Sequence, residues 1–91
     1  MGNPLTPLGR YIPMPMQRYR NQSGSSGIVA YELGEEYIDV KFVNGEVYHY
    51  TSRRPGPRDL QHMKELAVRG EGLSTFISRH IRTRYESKRS T

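Results

Sequence analysis

Asn44-Gly45 constrains this chain more than any other pair of residues. Both residues tolerate positive φ, so the pair marks a tight reversal between two strands. Ahead of it, Tyr37-Ile38-Asp39-Val40-Lys41-Phe42-Val43 alternates, with Ile38, Val40 and Phe42 on one face and Tyr37, Asp39 and Lys41 on the other. Behind it, Glu46-Val47-Tyr48-His49-Tyr50-Thr51 forms the returning strand. Two registers are open. A two-residue loop pairs Phe42 with Val47 and Val40 with His49, leaving Tyr48 and Tyr50 on the polar face. A three-residue loop, with Gly45 as a bulge residue, pairs Val40 with Tyr48 and Ile38 with Tyr50. The choice matters because a one-residue slip moves every side chain across the sheet. The second register gathers Ile38, Val40, Tyr48 and Tyr50 on one face, and a small core needs those rings.

Ile28-Val29-Ala30-Tyr31-Glu32-Leu33 is rich in strand formers and reaches the hairpin through the turn Gly34-Glu35-Glu36. After the hairpin, Ser52-Arg53-Arg54-Pro55-Gly56-Pro57 is a basic turn, since two prolines and a glycine exclude strand or helix interior. The spacing then predicts a helix over 58–69, with Leu60, Met63, Ala67 and either Leu66 or Val68 on one face. Pro57 suits its first turn and Gly70 its C-terminal cap. Gly72 or Ser74 opens a second helix to about Tyr85, with Leu73, Phe76, Ile77 and Ile81 as its apolar stripe and Tyr85 continuing it. The expected fold is α+β, a three-stranded antiparallel meander followed by two C-terminal helices, in residues 28–85. A length of 91 residues supports one such core and not two. Residues 1–27 are expected to form a disordered N-terminal arm and linker, because Pro4, Pro7, Pro13 and Pro15 favour extended backbone and Ser23-Gly24-Ser25-Ser26-Gly27 is linker-like. Residues 86–91 are expected to be a frayed basic tail.

Composition excludes several classes. There is no Cys, which removes disulfide frameworks, zinc fingers and thiol catalysis and fits a reducing cytoplasm. No run approaches the ~20 apolar residues of a membrane span. No apolar segment near the start suits a secretory leader, so a cytoplasmic location is expected. His49, His62 and His80 lack metal-ligand spacing, Asp39 and Asp59 belong to different elements, and no phosphate-loop pattern exists. A non-catalytic protein without metal or cofactor is the expectation.

The net charge of +5 is unevenly spread. Residues 1–22 carry Arg10, Arg18 and Arg20 and no acid, residues 23–52 are acidic, and residues 53–91 hold ten Lys or Arg against four acids. A polyanion would therefore meet the C-terminal half or the arm. Arg53, Arg54 and Arg58 flank the basic turn, and Arg79, Arg82 and Arg84 belong to the second helix. They form one patch if the turn folds over that helix's end. Arginine suits phosphate through its planar, bidentate fork, and Tyr48 and Tyr50, if exposed, would stack on unpaired bases. Alternate tyrosines on a strand are, equally, ordinary core residues. The expected partner is RNA or single-stranded nucleic acid. The alternative is a protein partner, docked through the Arg, Tyr and Met residues of segment 10–20 or, in a homodimer, through a sheet edge.

Tyr48-His49-Tyr50 and the segment Phe76-Ile77-Ser78-Arg79-His80-Ile81-Arg82-Thr83-Arg84-Tyr85 resemble the KTSC domain. This short module occurs alone in small bacterial and phage proteins and at the C-terminus of some lysyl-tRNA synthetases. The family shows a Tyr-x-Tyr motif mid-domain and an ending close to aromatic-Phe-Asn-x-x-Ile-Arg-x-Arg-Tyr. Tyr48 and Tyr50 match the first, and Ile81, Arg82, Arg84 and Tyr85 match the second. Ser78 stands where Asn is usual, and Arg53-Arg54 replaces a more apolar turn. The resemblance covers about residues 25–86 and implies a small module for which RNA binding has been proposed and no catalytic residues carry over.

Overall fold

The computed structural model describes residues 16–90. Strands β1 (Gln17–Arg18), β2 (Ile28–Leu33), β3 (Tyr37–Phe42) and β4 (Glu46–Thr51) are followed by helix α1 (Pro57–Arg69). A single turn of helix α2 (Leu73–Phe76) then passes directly into a π-helix (Ile77–Ile81), and strand β5 (Ser87–Ser90) closes the chain. The sheet runs β1-β2-β3-β4-β5, with every neighbouring pair antiparallel.

The hairpin takes the three-residue register. Val40 pairs with Tyr48 and Ile38 with Tyr50. Gly45 has φ 92° and its N–H donates to the Phe42 carbonyl, which is how the extra residue is absorbed. A bulge between Ile28 and Ala30 does similar work in β2, turning both Ile28 and Tyr31 inward although they are three residues apart. The helices lie on the face that carries Ile38, Val40 and Tyr50. There Leu60, Met63, Leu73 and Ile81 complete a core in which each is at most 4% exposed.

The sheet has five strands rather than three. The expected three-stranded meander is its centre, and one short strand from each flank extends it. Residues 16–27 of the arm are ordered onto the fold, which corrects the expectation of a disordered arm for that part. Residues 1–15 lie outside the described residues. The tail is likewise a strand and not frayed. Both additions are edge strands with polar side chains, and they join through backbone hydrogen bonds that need no apolar alternation. The second helix also stops at Ile81 and does not reach Tyr85.

The arm segment fastens the two helices together. Tyr19 is 3% exposed, and its hydroxyl accepts from the Leu73 N–H at 3.3 Å, at the start of α2. Arg20 donates to the Val68 carbonyl at 2.5 Å, Gln22 Nε2 to that of Arg69 at 2.7 Å and Gln22 N to that of Gly70 at 2.8 Å. These carbonyls belong to the last turn of α1, where no intrahelical donor remains. Gly70 takes the left-handed cap conformation (φ 80°), and a Cβ there would meet Arg20 Cβ at 2.7 Å.

Tyr19→Ala should therefore cost about 3 kcal/mol, a core-cavity penalty. Tyr19→Phe should cost about 1 kcal/mol, the value of one net hydrogen bond. Urea unfolding of the full chain measures both. An Ala variant as stable as the parent would remove Tyr19 from the core.

Candidate nucleic-acid interface

The basic turn is wound around Thr51. Its hydroxyl accepts from the N–H groups of Arg53 and Arg54, each at 3.1 Å, and donates to Glu86 Oε1 at 3.0 Å. The Thr51 N–H donates to the Arg54 carbonyl at 2.8 Å. The Glu86 N–H donates to the His49 carbonyl at 2.7 Å, which brings the last segment alongside β4. The turn thus lies against residues 83–86, and side chains lock it there. Arg53 grips Glu86 at two points, Nη2 to Oε2 at 2.5 Å and Nε to Oε1 at 3.4 Å. Arg54 reaches the Thr83 carbonyl at 3.5 Å. Arg84 answers from the other side. It donates to the carbonyls of Pro55 at 3.1 Å and His80 at 2.6 Å, and to Asp59 Oδ2 at 3.1 Å.

The fold accordingly brings Arg53, Arg54 and Arg84 together, with Arg58 beside Asp59 at the start of α1. Arg79 is exposed on the π-helix. Arg82 turns toward a different feature, described below. Two of the six predicted arginines hold a carboxylate, Arg53 through Glu86 and Arg84 through Asp59. Arg54 also lies within electrostatic reach of the Glu86 carboxylate, and among the described residues no acid pairs with Arg58, Arg79 or Arg82. Arg84 is mainly a strut between the turn, α1 and the π-helix. The hydrogen bond from Arg53, and next that from Thr51, hold the Glu86 carboxyl below the ordinary carboxylate range, and the same contact raises the Arg53 guanidinium.

The two predicted tyrosines part company. Tyr50 is 1% exposed, and burial, with Tyr48 and Tyr85 beside it, pushes its phenol far above the usual range. It is a core residue and offers no face to a base. Tyr48 is half-buried at the edge of a cleft of about 310 Å³, together with Phe42, Ile77, Asn44 and Arg82. Phe42 stands edge-on to Tyr48 at 5.3 Å, and Tyr85 stands edge-on to it at 4.8 Å. The mid-domain tyrosines and the chain's final motif therefore meet in space, a contact their separation in sequence hides.

Arg82 has φ 54° and ψ −117°, and the Arg84 N–H returns to the Ile81 carbonyl at 2.9 Å. These angles suit the first central position of a type II′ turn, where glycine is the unstrained residue. The π-helix ends at this turn.

Sequence reasoning missed the other face of the sheet. His49 Nδ1 donates to Asp39 Oδ1 at 2.5 Å, Arg89 meets the second oxygen of Asp39 at 3.3 Å, and Tyr37 packs on the His49 ring at 5.1 Å. The hairpin register already placed Asp39 opposite His49, so that pair was legible. Arg89 was not, because β5 was unforeseen. The arrangement fastens β5 to the hairpin. Among the described residues no group of His, Asp and Glu is arranged to hold a metal ion, and no helix is long and apolar enough to cross a membrane.

No family model, curated protein or solved structure matches this chain.

Arg82→Gly should raise stability by about 1 kcal/mol by relieving the turn. Arg84→Ala should lower it by about 1–2 kcal/mol, through lost hydrogen bonds. Opposite signs in denaturant melts separate a strained residue from a strut, and two losses of equal size would refute the assignment. The depressed Glu86 carboxyl has a pH consequence. Its tie to Arg53 and Thr51 is in place above the unfolded carboxylate pKa of ~4.3 and is lost as pH falls through the lower folded value. Carboxyl NMR should show Glu86 titrating below the free carboxylate range, and amide exchange at Ser87–Ser90 should accelerate in that same window.

Proposed function

We propose that this is a small non-catalytic cytoplasmic module that binds RNA or other single-stranded nucleic acid through its arginine surface. The observation that carries the reading is the fold of the basic turn over residues 83–86, which gathers Arg53, Arg54 and Arg84, while Arg58, Arg79 and Arg82 have no acidic partner among the described residues. Guanidinium groups clustered in this way suit a chain of phosphates. The contacts go to backbone rather than base edges, so binding is mainly electrostatic and weakly sequence-specific. The likeness of Tyr48-His49-Tyr50 and Phe76–Tyr85 to KTSC domains points the same way and rests on those residues alone.

The protein-interaction reading has lost part of its ground. Gln17–Arg20 of the arm are engaged by β2 and α1, so an arm-borne docking motif is left with residues 10–15, outside the described residues. Removing residues 2–15 separates the two ideas without touching Tyr19. Nucleic-acid binding should survive that deletion, whereas arm docking should vanish.

Binding of a fluorescent single-stranded RNA should weaken with salt, with a log–log slope of roughly −2 to −3.5 for three to five phosphates neutralised. Arg54→Ala and Arg58→Ala should each flatten the slope by about 0.7. Glu86→Gln and Asp59→Asn should tighten binding several-fold, because each removes a negative charge from the arginine surface and keeps a polar side chain for the contact. Absence of binding at low salt, or binding indifferent to salt, would sink the proposal.

A further inference from the structure

The cleft between β3–β4 and the π-helix is a candidate for more than phosphate contact. Its walls are aromatic and aliphatic, from Phe42, Tyr48 and Ile77, with Tyr50 at the rear. The polar side chains among its lining residues, apart from the tyrosines, are Asn44 and Arg82. Asn44 uses its side-chain oxygen to accept the Glu46 N–H at 3.0 Å, which leaves the amide NH₂ as a donor with no partner among the described residues. Arg82 supplies the single charge. A concave apolar site with a few placed polar groups is the usual form of a small-ligand pocket. At about 310 Å³ the cleft lies near the small end of the ~300–1,000 Å³ range of such pockets, room for one base rather than a stacked pair.

Arg82 supports this use independently. It occupies a turn position that glycine would fill without strain, directly after a π-helix. Strained backbone and π-helical turns recur where a side chain must be aimed at a ligand. Arg82 lines the aromatic cleft, and no carboxylate among the described residues pairs with it.

We infer that the cleft takes one unstacked nucleobase of a bound single strand, with the base against Phe42 and Tyr48, its edge toward the Asn44 amide and the adjoining phosphate on Arg82. The inference rests on the nucleic-acid reading and adds a base-binding site to it. Stacking tolerates any base because every base has a π-face, so the site adds affinity more than sequence choice.

Gly27 provides a clean probe. It lines the cleft, and a Cβ built there meets nothing within 4 Å. Gly27→Leu therefore adds bulk at the lining of the cleft without its Cβ displacing a packed group. The Val43 N–H to Gly27 carbonyl bond, 2.8 Å, uses only backbone and is kept. The ligands are a short oligouridylate and an abasic oligomer of equal length and charge, titrated against the full chain. The oligouridylate should bind the parent about ten-fold more tightly than the abasic strand. Gly27→Leu should abolish that difference while leaving the affinity for the abasic strand and the salt slope unchanged. Tyr48→Phe, which keeps the ring, should retain the preference. Equal binding of both strands by the parent would overturn the base site and leave the phosphate surface standing. A preference that survives Gly27→Leu, in a variant whose melt matches the parent, would place base recognition elsewhere and overturn it too. Failure of both strands to bind would remove the underlying reading itself.

Discussion

The helix junction at Val68–Leu73 depends on donors and acceptors that neither helix can supply. The last turn of α1 presents carbonyls with no intrahelical donor, and the first N–H groups of α2 have no intrahelical acceptor. Both sets sit close together, separated by a turn of three residues; the Leu73 N–H is buried there, while the contacts to the Val68 and Arg69 carbonyls are exposed. Leaving the buried Leu73 N–H unpaired would cost roughly 1–3 kcal/mol. The chain meets this need from nearly fifty residues upstream. Arg20 and Gln22 supply the donors, and the Tyr19 hydroxyl supplies the acceptor. The same Tyr19 ring fills the space beneath the junction. One segment thereby fixes how α2 leaves α1, hence where the π-helix ends, and hence where Arg82 and Tyr85 fall.

This dependence explains which parts of the fold were legible in the sequence. The hairpin was legible because its register is set locally, by Gly45 and by the demand that Ile38, Val40, Tyr48 and Tyr50 share a face. The first helix was legible from Pro57 and Gly70, residues whose backbone preferences mark its two ends. The flanking strands were not. Gln17–Arg18 and Ser87–Ser90 pair through backbone groups alone, and such segments carry no alternation to read. Tyr19 stood among prolines and arginines and looked like part of a solvated leader, yet its partner at Leu73 lies 54 positions away. The second helix was overextended because nothing in Arg82-Thr83 signals a turn. Glycine would have given it away, and arginine concealed it.

The charge pattern also changes meaning once folded. Three of the five acids in the middle segment, Glu32, Asp39 and Glu46, are engaged within the fold, while Glu35 and Glu36 are exposed. Asp39 is 5% exposed and divides its oxygens between His49 and Arg89, Glu46 meets Lys88 at 3.6 Å, and Tyr37 donates to Glu32. These acids mostly secure the hairpin and its added edge strand. The cations used in that work are Lys88 and Arg89, from the tail. Arg58, Arg79 and Arg82 are left over among the predicted arginines. Sequence charge counts could not distinguish the two groups, because the division depends on a strand that pairs by backbone.

The proposed interface therefore unites residues with different structural duties. Arg84 and the Arg53–Glu86 pair hold the basic turn against residues 83–86. Tyr50 and Tyr85 hold that segment against the sheet. None of these needs to touch a ligand, and each positions one that does. Arg82 is the exception, because its side chain supports nothing among the described residues and its backbone would be relaxed by glycine. A residue whose backbone conformation suits glycine and whose side chain makes no hydrogen bond or ion pair among the described residues is best explained by something outside the chain. The aromatic cleft it lines gives that outside contact a shape, a base-sized apolar slot with one arginine in its lining.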